Sequence, residues 1–446
     1  MKILKEEKGS ITLFVLIAML FFVMYLVGMY MLSSSTESSL IAETSRIKEI
    51  YEQGVNNIDD VYNTLDNRDK VEPNAPNLTG IAQKTYVTWS LNEEGTEYVI
   101  NDTQISKPLY WYDYENGKWA NIKTTNEIEG LEAYWVWIPR YEYIVPTSET
   151  AEEIEVKFIK TSQTVADEGY IIHPAFTNEG NEGFGELDGI WVAKFEASSN
   201  TTTPDDNYGG GNPSAENPLK VQIKPGVQSW RNIETSNIFS VCRKMTEDGE
   251  VLEGSTVDSH MMKNTQWGAV AILSQSKYGV YNPQSTTGIN GDKTYQVWNN
   301  PKGYDSGKYI YTGYAGNNPN ASTSYDFTVI PNNVIEYNKI DLSRKLSGMK
   351  GSTTGTVYGV YDMAGGSWEC IAGCIEGKEN ETFGVIREQD KKYVDLYKDS
   401  TDPNTSYDRA KIGDATEETK SWNGDHYNFV YSSLPVFIRG RWLQSQ

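Results

Sequence analysis

The stretch "VYGVYDMAGGSWECIAG", residues 357–373, decides how the rest of the chain is read. It packs four glycines, an acid pair (Asp362 and Glu369) and a cysteine into seventeen residues. Three roles compete for such a segment: a catalytic loop, a metal site, or the scaffold of a binding module. Cys370 and Cys374 are four apart, which is not the zinc spacing of two intervening residues. With Cys242 they make three cysteines, an odd number that gives no disulfide framework. They read as buried small hydrophobes. His173, His260 and His426 are isolated in sequence and form no zinc cluster.

Working outward, composition limits the classes. A chain of 446 residues has room for two or three ordinary domains, or one large domain with appendages. Its 30 Tyr and 12 Trp suit a loop-rich body in which most Trp fill the core and other aromatics reach a binding surface. A formal net charge of −22 repels nucleic acid and anionic lipid, so both are excluded as ligands of the soluble part.

The amino end sets the expected topology. Residues 11–32 carry no charge and are almost all apolar. At about 1.5 Å per residue they make a helix long enough for a hydrocarbon core of about 30 Å, and too long for a secretory signal core. Lys2, Lys5 and Lys8 precede the run, and no Lys or Arg follows until Arg46. The positive end stays inside, which puts the carboxyl-side domain outside a cell membrane as a single-pass protein. Ile47, Tyr51, Val55, Ile58, Tyr62 and Leu65 then recur at helical intervals, and Pro73 and Pro76 close the stripe. The expected order is a cytoplasmic tip (1–10), a transmembrane helix (11–32), a helical stalk (33–69), a β-rich connecting segment (70–130) and a head (131–446). A membrane helix running into such a stalk resembles the amino-terminal helix of pilin-like proteins. "EEKGSITLF" (6–14) has the basic-then-glycine look of a prepilin leader, with Phe14 where those leaders usually carry Glu.

From about residue 82 the texture becomes short aromatic and β-branched runs between turn signals. "KTYVTWSL" (84–91), "PLYWYDYENGKWANI" (108–122), "AYWVWIPRYEYIV" (133–145) and "GIWVAKFEAS" (189–198) read as strands, with a hairpin turn at Asn116-Gly117. Helices are expected over 236–245 and 262–276, the second with Asn264 as N-cap. Polar stretches at 198–218 and roughly 280–330 are long loops without a repeat.

The order of these pieces carries a resemblance. "GIWVAKFEAS", "VQSWRNI" (227–233), "SHMMKNTQWGAVA" (259–271), "VYGVYDMAGGSWE" and "FIRGRW" (437–442) together resemble the formylglycine-generating-enzyme, or sulfatase-modifying-factor, family over about 130–446. Trp267 matches the family's helix tryptophan. Tyr358, Gly359, Tyr361, Asp362, Met363, Gly365, Trp368 and Glu369 match its Asp-Met-Gly-Trp-Glu motif, and Arg439 and Gly440 match its Arg-Gly pair. The resemblance implies an α+β, C-type-lectin-like fold: a twisted antiparallel sheet, two flanking helices and long loops, here behind the membrane and stalk helix. It makes the opening stretch scaffold, with Trp368 in the core, so that Trp368→Ala is expected to cost roughly 3–5 kcal/mol.

The resemblance also bears on function. Enzymes of the family use a cysteine pair after the Arg-Gly segment, with copper. Here "RWLQSQ" (441–446) has no cysteine, and the copper-dependent oxidase is disfavoured. The closer likeness is to non-catalytic members that display ligand sites, among them the target proteins of diversity-generating retroelements. It implies Trp422, Tyr427, Tyr431, Arg439 and Trp442 as ligand contacts for an extracellular protein or glycan. Relatives continue to a further strand, so "VFIRG" (436–440) is expected to be an open edge with exposed apolar side chains, prone to self-association. No cofactor is expected. Calcium is the one ion left open, through loops such as "TPDDNYGGGN" (203–212). The leading expectation is thus a membrane-anchored, surface-displayed binding protein that is not an enzyme. A pilin-like minor subunit is the alternative.

Overall fold

β-Branched and aromatic residues alternate along "KTYVTWSL", and they form β1, Lys84–Leu91, with the bounds the pattern predicts. β1 lies inside a five-stranded antiparallel sheet. Its partners are β2 (Tyr98–Gln104) and β3 (Asn121–Asn126), followed by β4 (Leu131–Pro139) and a later strand, β8 (Gly189–Ala193), in the order β2-β1-β3-β4-β8. A smaller sheet holds β5 (Tyr141–Tyr143) between β6 (Val156–Phe158) and β7 (Ile171–Ile172). A third centres on β9 (Glu369–Ile375), parallel to β10 (Asp395–Tyr397) and antiparallel to β11 (Val436–Arg439). The chain is therefore α+β, with several sheets and few helices among the described residues.

This structure is a computed structural model. It describes residues 72–108, 111–146, 153–181, 183–201, 209–280, 297–298, 300, 310–316, 334–343, 346–398, 411–416, 418 and 436–439, together with Met19. Among the described residues no helix is long and apolar enough to cross a membrane. The expected span (11–32, Met19 apart) and stalk (33–69) lie outside them, as does the 203–208 part of the loop considered for calcium.

Three sequence expectations are corrected here. The boundary drawn at residue 130 falls inside the main sheet: β3 pairs with β4 from Asn121↔Val136 to Asn126↔Leu131. The segment 84–126 is thus part of the head's own sheet, because the short β3–β4 loop leaves antiparallel neighbours. Next, the Asn116-Gly117 turn does close, with mutual bonds between Asp113 and Lys118 at 2.7 and 2.9 Å, but among the described residues its arms form no strand until β3 begins at Asn121. Trp111, Tyr114 and Trp119 turn inward instead, and each finds a backbone acceptor: Asn121 at 2.6 Å, Trp137 at 3.0 Å and Tyr278 at 2.7 Å. Lastly, β11 does not expose its apolar side chains: Val436, Phe437 and Ile438 are 8 %, 0 % and 5 % exposed. β11 is laddered to β9, and these three side chains are buried rather than facing solvent.

Helix α1 is Thr235–Lys244 and α2 is Asn264–Ser274, each close to its expected span. α2 is buried along its whole length. Its N-terminus is capped differently from expectation. Asn264 is the first helical residue, and the orphan N–H groups are satisfied from elsewhere. Gln266 Oε1 accepts from the Lys263 N–H at 3.0 Å, and Asp395 Oδ2 on β10 accepts from the Thr265 N–H at 2.8 Å. Burial alone raises the Asp395 carboxyl, but Lys263 (3.2 Å away), Lys411 and the Thr265 N–H bring it below its usual value. Asn264 is left to bridge Tyr397 and Arg439.

Candidate functional site

The chain leaving β8 reaches the opening motif at once. The Tyr361 N–H donates to the Lys194 carbonyl at 2.8 Å. Lys194 itself is fully buried and donates from Nζ to the carbonyls of Val357 (2.6 Å) and Gly359 (2.8 Å), with the Trp89 ring 4.8 Å away. Burial drives this ammonium well below its usual pKa. The lysine is a strut between β8 and the motif.

Asp362 is the pivot of the motif. It adopts φ +64°, a conformation that Asn and Asp tolerate better than other side-chain-bearing residues. Its carboxylate accepts from Asn300 Nδ2 at 2.8 Å and from the Gly313 N–H at 2.9 Å. Gly365 then crosses Asn300, where a Cβ would stand 2.5 Å from the Asn300 carbonyl oxygen. At Gly366 a Cβ would stand 2.4 Å from Oε1 of Glu196. These two glycines are the close approach that the sequence stretch required.

Glu196 is the residue that this approach serves. Its Oε1 accepts from the Ser367 N–H at 2.9 Å, and its Oε2 accepts from the Ser229 hydroxyl. Each donor residue is followed directly by a tryptophan, Trp230 and Trp368. Glu369 comes next in the chain and turns inward, where its Oε2 accepts from Trp267 Nε1 at 2.8 Å.

These residues stand at a cleft of about 510 Å³. One face of the main sheet contributes Ile122, Trp135 and Ala193, which are cross-strand neighbours in register. α1 contributes Ile238, Val241 and Cys242. Trp230, Trp368, Glu196 and Glu369 also line it.

Burial dominates the electrostatics. It pushes Glu369 up to about 7, with Asp362 adding to the rise and the Trp267 N–H and Arg439 opposing it. It pushes Asp362 up to about 6, against the pull of Asn300, Gly313 and the Glu196 backbone. Glu196 is raised well above the carboxylate range by burial, then by the charges of Asp362 and Glu369. The thiols rise too: burial takes Cys242 and Cys374 to about 12 and lifts Cys370, so none is a ready thiolate. Among the described residues no group of three His, Cys, Asp or Glu side chains is placed to hold a metal ion.

The residues named from sequence fall into three sets. Trp267, Tyr361 and Asp362 are buried at 4 %, 2 % and 1 % exposure, as a scaffold requires. Met363 lines the cleft. Trp368 departs from expectation: it is 39 % exposed at the cleft. Trp368 precedes β9, whose first residue, Glu369, is half-buried and bonded to Trp267. Arg439 departs in the opposite sense. Expected at a ligand face, it is wholly buried, with Nε donating to Asn264 Oδ1 at 2.9 Å and a second nitrogen to the Asp414 carbonyl. Trp422, Tyr427, Tyr431 and Trp442 lie outside the described residues. Sequence reasoning did not single out Glu196 or Trp230. The signal for Glu196 was an acid just past an alternating apolar strand, and that for Trp230 was its place in "VQSWRNI", a segment quoted for its resemblance but not read residue by residue.

No protein-family model matches the chain, and no curated protein matches it.

Proposed function

We propose that the chain is a membrane-anchored, surface-displayed binding protein whose head captures an extracellular protein or glycan without chemistry. The observation that carries the reading is the cleft: an indole at Trp368 stands exposed beside Glu196 and Glu369 on a rigidly tied loop. An exposed tryptophan on a fixed backbone is a low-entropy contact surface. The likeness of the head to formylglycine-generating-enzyme domains, and hence to the C-type-lectin-like fold, is part of the same proposal. It is supported by the grip of Asp362 on Gly313 and by the Gly365 crossing, which give those motif residues structural work. The anchor rests on the uncharged run 11–32 and the lysines before it.

The test displays the full chain on cells and probes it with glycan and protein arrays. Trp368→Ala should abolish capture and leave the melting temperature within a few degrees. Protease added to intact cells should remove most of the chain and leave a small anchored fragment. Copper-dependent turnover of a cysteine peptide would replace this reading with the oxidase, and a fully protected chain would overturn the topology.

A further inference from the structure

We propose that the cleft seats a cationic nitrogen head group carried on an apolar body, with the charge over Glu196 and Glu369 and the indoles of Trp230 and Trp368 beside it. This rests on the reading of the head as a binding module and names the chemistry of its ligand. The first ground is connectivity. Glu196 clamps Ser229 and Ser367, and the residue after each is a cleft-lining tryptophan. One carboxylate therefore ties down the residue before each of two cleft-lining tryptophans, with the Trp230 N–H held by the Gly211 carbonyl at 2.8 Å, and Glu369 follows the second of them.

The second ground is a shortage of positive charge. Glu196, Asp362 and Glu369 act on one another electrostatically, and Arg439 is the cation that acts on Glu369. That guanidinium lies over the Trp267 ring, bonded to Asn264, to the Asp414 carbonyl and to Thr416 at 3.4 Å. Lys194, two residues before Glu196, is turned onto the carbonyls of Val357 and Gly359. Another cleft-lining acid makes the contrast: Asp258 has Arg243 and Lys392 each at 2.6 Å. At the Glu196–Glu369 end the acids thus meet without a matched ion pair among the described residues, and a cation seated there would favour their ionised forms, whereas the Asp258 end is already neutralised.

The third ground separates organic from metal cations. A hard metal ion needs several oxygen ligands converging at short range, and among the described residues no group of three candidate side chains does so. An alkylated ammonium needs aromatic faces and diffuse negative charge, which this end of the cleft supplies.

The experiment uses the full chain in maltoside micelles and follows tryptophan fluorescence. The probes are benzyltrimethylammonium, its neutral isostere neopentylbenzene, and calcium chloride. The cation should bind about tenfold or more tightly than the isostere. Glu196→Gln and Glu369→Gln, each shown to fold by a cooperative melt, should each remove most of that preference, and Glu381→Gln, at an exposed acid outside the cleft, should keep it. If one acid variant fails to fold, the other and the isostere comparison still decide. Equal affinity for the two organic probes would overturn the cationic ligand and leave an apolar binding cleft. Displacement of the ammonium by calcium at equal concentration would overturn it in favour of a metal site. Failure of both organic probes, while array capture still depends on Trp368, would overturn the ligand class alone. Failure of capture as well would remove the binding reading with it.

Discussion

The guanidinium of Arg439 lies 4.3 Å from the centre of the Trp267 ring, and that same indole donates its N–H to Glu369 at 2.8 Å. Cation and ring are buried and the acid half-buried at the cleft, and the three together join β11, α2 and β9. A planar, delocalised cation suits this position, since it stacks and still donates at its edges. Arg439→Lys keeps the charge but loses the stack and the fork, and is expected to cost about 2–3 kcal/mol. Arg439→Ala should cost about 3–5 kcal/mol by stranding buried acceptors. Urea unfolding followed by circular dichroism measures both; equal, small losses would show that the stack contributes little.

Asp362 combines an unusual backbone angle with two long-range acceptor roles. Asp362→Ala loses the bonds to Gly313 and Asn300 and places an ordinary side chain at φ +64°, an expected loss of about 3 kcal/mol. Asp362→Asn keeps an acceptor oxygen and the tolerated conformation, and should cost about 1 kcal/mol. The ordering of the two variants in a denaturant titration is the check.

Two glycines separate backbone strain from collision. Gly95 has φ +68° with nothing within 4 Å of a Cβ, so Gly95→Ala should cost only about 1 kcal/mol. Gly365 has φ +83° and a Cβ position 2.5 Å from the Asn300 carbonyl, so Gly365→Ala should cost about 3 kcal/mol or more. Similar melting of the two variants would refute the close crossing.

The raised carboxyls fix a direction for pH. Burial lifts Glu369 from an ordinary 4.5 to about 7 and Asp362 from 3.8 to about 6. Between those limits the folded chain holds protons that the unfolded chain has released. Stability contributed by these groups therefore falls as pH rises from about 4 to about 7, and the penalty is fully present above the folded values. Glu369→Gln should flatten the fall in melting temperature between about pH 5 and pH 8. A wild-type melt that rises steadily across that window, with no change in the variant, would contradict the assignment.

Trp368→Ala is expected to cost about 1 kcal/mol, not the several that a core indole would cost, because the side chain is 39 % exposed. A thermal melt decides, and a loss above about 3 kcal/mol would return Trp368 to the core.

What was legible in the sequence follows the range of the forces involved. β1 was readable residue by residue because alternation is a local signal, and α1 and α2 were located within a residue or two. The roles of Asn264 and Arg439 were not readable. Asn264 carries the right chemistry for a cap, but Asp395 reaches that helix end from 130 residues away, and the asparagine is drawn to Tyr397 and Arg439. The motif's glycines were legible as a tight crossing, whereas its object was not. Glu196 meets Ser367 across 171 positions and Ser229 across 33, distances at which periodicity carries no information. Trp368 was misplaced for a related reason: its motif neighbour Glu369 is tied to Trp267, 102 residues away, and nothing local in the sequence marks which of the motif's side chains is left at the cleft.

The interior position of β1 has a mechanical consequence. Chain entering at residue 72 runs past Asn77, whose carbonyl holds Trp191 Nε1 at 2.8 Å, and past Gly80, whose carbonyl holds the Thr256 N–H at 2.8 Å. It then enters β1, which is laddered to β2 on one side and β3 on the other. A pull on the amino end is therefore shared between two ladders, and load passes into the middle of the sheet instead of peeling a strand from its rim. Tension applied at residue 72 would thus have to break both ladders before β1 could leave the sheet.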